Sequence, residues 1–109
     1  MVSLRERGGE KLAIGLRVGH LLRVSGYLEI AIISMWTGYP RTDATIGMVE
    51  ASIRNEGPSG KDEDLLERLR VLVEEARDHY AGGDSPAAMA RMRVAQDLLD
   101  LRIVVLNER

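Results

Sequence analysis

Cysteine and phenylalanine are absent from this chain of 109 residues, and tryptophan occurs once. Without thiols there is neither a disulfide framework nor a thiolate metal site, and a cytoplasmic setting is the simpler expectation. With three Tyr and one Trp as its only aromatics, the protein must build its core from aliphatic side chains and five Met. An excess of one charge sign is missing too: 15 Lys and Arg stand against 17 Asp and Glu. A net charge of −2 argues against a general polyanion binder, which normally carries a basic surplus.

Long uninterrupted apolar runs are also lacking. The most apolar stretch, Tyr27 to Trp36, contains Glu29 and is too short to span a bilayer, so no membrane partner is expected. Met1 to Glu10 carries charges of both signs with no apolar leader behind it, and no secretory signal is read there. The chain offers no Gly-rich phosphate loop and no nucleophile beside a base. Its imidazoles are His20 and His79 alone. Glu75 and His79 share a helix face, and Glu75-Ala-Arg-Asp78 resembles half of the acidic motif of all-α nucleotide pyrophosphohydrolases. The upstream Glu-x-x-Glu of that motif is absent, and the chain has no pair of Glu-x-x-His helices for a bridged metal site. The expectation is a protein that is not an enzyme and has no cofactor or metal.

What the chain does contain is helical periodicity, clearest in its last quarter. From Ser85 to Leu106, one side of a helix carries Ala88, Met92, Ala95, Leu99, Ile103 and Leu106. A second line, Val94, Leu98, Leu101 and Val105, is spaced by four, three and four residues. One stripe suffices to pack against a hairpin partner, so the second needs another surface. Either the N-terminal half covers it or it is an oligomer interface. A homo-oligomer, most simply a dimer, held through Val94, Leu98, Leu101 and Val105 is the expectation.

Upstream, Leu65, Leu66, Leu69, Leu72, Val73, Ala76 and Tyr80 line one face of another helix, with Asp62, Glu63 and Asp64 at its start. Ser59 to Asp62 has capping-box spacing, and Asp64 with Arg68 makes an i,i+4 pair. Gly82-Gly83 ends this helix, and Ser85 with Pro86 caps and opens the next. Residues 61–109 therefore form an antiparallel helical hairpin. Tyr80, Gly83-Asp84, Ala88 and Ala95 make it similar to a single tetratricopeptide-type unit, although the closing Pro is missing and no second copy occurs. Small residues are equally what any tight hairpin needs where its backbones cross.

The N-terminal half is less plain. Met1 to Glu10 reads as a mobile arm, because Gly8-Gly9 interrupts what precedes it. In the segment 11–57, even-numbered residues from Leu12 to Ile32 are nearly all apolar, which is strand alternation. The length of the run favours a buried helix instead. The expected fold is mainly α, with an α+β version carrying a β-hairpin within 11–33 as the alternative. Gly38-Tyr39-Pro40 stops this element, and Thr42 or Asp43 caps a short helix running to about Asn55. Gly57-Pro58-Ser59-Gly60 is the linker between the halves.

Around Thr37-Gly-Tyr-Pro-Arg-Thr-Asp-Ala44, the stretch 33–57 resembles winged helix-turn-helix regulators. Ser34 lies four residues before the turn Gly38, Pro40-Arg41 opens the second helix, and Ala44 falls at a core position. The resemblance implies a DNA-binding regulator in which Arg41, Thr42, Thr45 and Arg54 face a groove, with the C-terminal hairpin as dimerisation element. Gly57 lies two residues beyond the usual interval, and no wing strands follow it.

Overall fold

The computed structural model describes residues 4–55, 57–58 and 60–108. Four helices follow one another: α1 (Leu4–Thr37), α2 (Thr42–Arg54), α3 (Glu63–Ala81) and α4 (Ser85–Asn107). Each packs on its sequence neighbours, and α4 closes the ring against α1. The short connections at 38–41 and 82–84 force adjacent helices antiparallel, giving an up-down-up-down bundle. No strand occurs among the described residues, so the α+β alternative with a hairpin in 11–33 is corrected to helix.

The reason lies in which residues α1 buries. Leu21, Val24, Leu28, Ala31 and Met35 recur at intervals of three and four and are buried, continuing the line begun by Arg17. That is a heptad-like seam, not an alternation. Leu12, Leu22, Ile30 and Ile33 lie on the opposite face and are exposed; the even-numbered pattern arises because Leu12, Leu22 and Ile30 interleave with the buried Val24, Leu28 and Ile32. Glycines do not break the helix, which passes through Gly19-His20 and also through Gly8-Gly9. The arm expected at 1–10 is thus helical from Leu4, and residues 1–3 lie outside the described residues. Residues 8–13 of α1 are exposed and run past the other helices, which gives the molecule its length of 57 Å against 20 × 19 Å. From Gly8 to Thr37 the helix is long and apolar enough to cross a membrane, and less than half of its most apolar window is buried in the bundle.

The turns differ in detail from the sequence expectation. Arg41, rather than Thr42, occupies the N-cap of α2, and Thr42 Oγ1 donates back to the Tyr39 carbonyl at 2.6 Å. Gly38 takes a left-handed φ of 69°, which is why the α1–α2 turn uses glycine there. Asp84, not Ser85, caps α4 by accepting from the Ala87 amide at 3.1 Å. Ser59 lies outside the described residues, and Asp62 stands at the N-cap of α3 without capping it.

The Asp62 side chain is used elsewhere. Its carboxylate is 1 % exposed and accepts from Arg17 of α1 through Nε at 3.0 Å and Nη2 at 2.7 Å. Arg102 of α4 donates Nη1 to the same carboxylate at 3.0 Å and Nη2 to Asp64 at 3.0 Å. The expected Asp64–Arg68 pair gives way to this contact. Three helices are therefore joined at one buried carboxylate. The paired guanidinium of Arg17 holds the Asp62 carboxyl below its ordinary range, against the opposing effect of burial.

Candidate association surface on the last helix

The two stripes of α4 have different fates. Ala88, Met92, Ala95, Leu99 and Leu106 are buried against α1 and α3, with Ile103 half-buried beside them. The second line is left uncovered by the rest of the chain: Val94 is 45 % exposed, Leu101 63 % and Val105 42 %, while Leu98 is half-buried. The N-terminal half packs on the other side of α4, so it does not shield this stripe. The face of α4 toward α1 is marked by Gln96, whose Nε2 donates to Glu29 at 2.6 Å.

Charged residues hold α4 in the orientation that leaves the stripe outward. Arg91, near the start of the helix, pairs with Glu75 of α3 at 2.8 Å. Arg102, near its end, pairs with Asp62 and Asp64. Both arginines lie on the α3 side of the stripe, so they fix the rotation of α4 at two levels 11 residues apart. Beside Arg102, Leu65, Arg68, Leu98, Leu101 and Val105 line a shallow groove of about 360 Å³ between α3 and α4. The result is a strip of aliphatic side chains bordered by Arg68 and Asp64. It presents no ligand set and no nucleophile.

The residues expected to face DNA are divided by the structure. Thr42 and Thr45 are 1 % and 7 % exposed, and the Thr45 hydroxyl donates to the Thr42 carbonyl at 2.6 Å. They stabilise α2 from within and offer nothing to a groove. Arg41 and Arg54 are exposed but stand at opposite ends of α2, roughly 20 Å apart at 1.5 Å per residue. Glu75 is occupied by Arg91, and among the described residues no group of three or more His, Cys, Asp or Glu is placed to hold a metal.

Sequence reasoning missed two places where polar groups enter the bundle. One is the Arg17–Asp62–Arg102 cluster. The other is His20, 6 % exposed, whose Nε2 lies 3.2 Å from the Ser52 carbonyl and donates to it. Its Nδ1 has no partner among the described residues and sits beneath Gly57. Beside it runs a groove of about 510 Å³ between α1 and α2, lined in part by Gly19, Arg23, Tyr27 and Met48. The one advance signal was a polar residue at a seam position of α1, and that seam was not visible. No protein family, curated protein or solved structure matches this chain.

Proposed function

We propose that this chain is a non-enzymatic α-helical assembly module of the cytoplasm, forming homo-oligomers through Val94, Leu98, Leu101 and Val105. The carrying observation is that this stripe is regular, aliphatic and uncovered by its own chain, while α4 is braced by Arg91 and Arg102 so that it stays outward. Spacings of four, three and four are symmetric about their midpoint. In an antiparallel pair of α4 helices, Leu98 then meets Leu101 of a second copy, and Val94 meets its Val105. Each side chain is already partly covered, so completing the burial of all four contributes on the order of 3–6 kcal/mol per subunit before the entropic cost of association.

Sedimentation over a concentration series tests this. Val94→Glu and Val105→Glu each place a charge in the stripe without touching the core, and each should raise the dissociation constant at least tenfold. Variants that assemble as tightly as the parent would remove α4 as the interface.

A further inference from the structure

The groove between α1 and α2 is a concave surface independent of the outer stripe of α4. In the ring of four helices, the α1–α2 and α3–α4 grooves lie on opposite sides. Leu16 of α1 stands on one wall, Met48 and Ala51 of α2 on the other, and Pro58 follows α2 at one end. Leu16 and Met48 are exposed, so the walls offer aliphatic surface that the chain itself leaves uncovered. Gly15 and Gly19 keep the α1 side hollow. A Cβ placed on Gly15 meets nothing within 4 Å, and one on Gly19 meets only the Arg23 guanidinium, at 3.9 Å. His20 lines the same groove and ties its two helices together through the Ser52 carbonyl.

The charge in the groove selects the occupant. Arg23 is the one charged residue of its lining, and it makes no ion pair among the described residues. The carboxylates that could have answered it are turned away: Glu29 of α1 accepts from Gln96 of α4, and Glu50 of α2 pairs with Arg77 of α3. Tyr27 lies one turn beyond Arg23 on the same side of α1, half-buried, and its hydroxyl has no partner among the described residues. A guanidinium offers a carboxylate two parallel N–H donors, and the hydroxyl supplies another. With a single cation in the groove, a doubly charged phosphate ester would be left half-neutralised. The volume of about 510 Å³ is in the range of small-molecule sites. We propose that this groove binds a free aliphatic carboxylate of medium chain length. Arg23 holds the carboxylate, and the chain lies along Leu16, Met48 and Ala51.

Octanoate is the probe, and the imidazoles supply the readout. The chain has two, of which His20 lines the groove and His79 lies on α3 as an internal control. In NMR spectra of the imidazole C–H groups, octanoate should shift the His20 signals saturably and leave those of His79 in place. The expected dissociation constant is on the order of 1 mM or tighter, about 4 kcal/mol. 1-Octanol and octylammonium carry the same chain with no charge or the opposite one, and each should bind at least tenfold more weakly. The Leu101→Glu protein should titrate as the parent does, because the groove lies on the far side of the bundle from the α4 stripe. The site therefore stands or falls separately from the assembly interface.

Arg23 is exposed, so Arg23→Gln keeps the fold. This variant should bind octanoate at least tenfold more weakly than the parent and 1-octanol as weakly as the parent does. An Arg23→Gln protein with the parent's affinity for octanoate overturns the proposal. Equal His20 responses to octanoate and octylammonium, or no saturable shift of His20, also overturn it. So does a parent that responds to phosphatidylcholine vesicles and not to octanoate, which would make the groove a bilayer contact.

Discussion

Arg17 and Asp62, 45 residues apart in the chain, meet through two hydrogen bonds between a guanidinium and a carboxylate that is almost wholly enclosed. Arg102 adds a third donor to the same carboxylate. The cluster sits where α1, the start of α3 and the end of α4 converge, so it joins the two halves of the chain at the lower end of the bundle.

Removing the carboxylate charge should therefore be costly. Asp62→Asn leaves the buried Arg17 guanidinium without an anion while Arg102 keeps Asp64, and a loss of about 3–5 kcal/mol is expected. Arg17→Met combined with Asp62→Leu should cost far less, because no unpaired charge remains buried and Arg102 keeps Asp64. Urea denaturation of the two variants beside the parent checks the contrast.

The same pair predicts a pH dependence of defined sign. The Asp62 carboxyl is held below its ordinary value in the folded state, chiefly by the Arg17 hydrogen bonds, and Asp64 is lowered by Arg102. A lowered carboxylate contributes stability that is complete above the unfolded-state value near 4 and is lost as pH falls through the folded-state value. Stability should be level with respect to these groups from pH 7 to about 5 and decline below about 4. In Asp62→Asn the decline should be shallower. Equal slopes in parent and variant would show that the cluster does not govern acid unfolding.

Two glycines should respond in opposite directions. Gly15 lies within α1 with nothing within 4 Å of a built Cβ, so Gly15→Ala should stabilise the subunit by about 0.5–1 kcal/mol. Gly38 has a left-handed backbone, so Gly38→Ala should destabilise by about 1–2 kcal/mol although the space around it is open. Thermal denaturation of both variants measures the two signs.

How much was legible in advance follows from how many faces each helix buries. In α4 the buried line runs through small and medium aliphatic residues at regular intervals, and the outward line is separate from it, so both could be read. In α1 two apolar faces lie back to back. Leu22, Ile30 and Ile33 on the outside fill the gaps between Leu21, Val24, Leu28, Ala31 and Met35 on the inside, and any single periodicity is blurred. The Arg17–Asp62 contact leaves no local trace, because its partners lie on different helices and each looks like an ordinary surface charge. At α2, Thr42 and Thr45 suit DNA contact by chemistry, but both are buried and their hydroxyls donate to backbone carbonyls, which residue type alone does not reveal.

The central claim is that the outer stripe of α4 is a subunit interface and not spare surface. Leu101 is its most exposed member, so Leu101→Glu should leave the monomer fold intact. The decisive measurement is light scattering after size exclusion on parent and Leu101→Glu, with thermal melts of each. The account predicts that the parent is larger than a monomer, that the variant loses mass, and that circular dichroism of the variant stays fully helical. A parent that elutes as a 12.1 kDa monomer, or a variant that keeps the parent's mass, would contradict it.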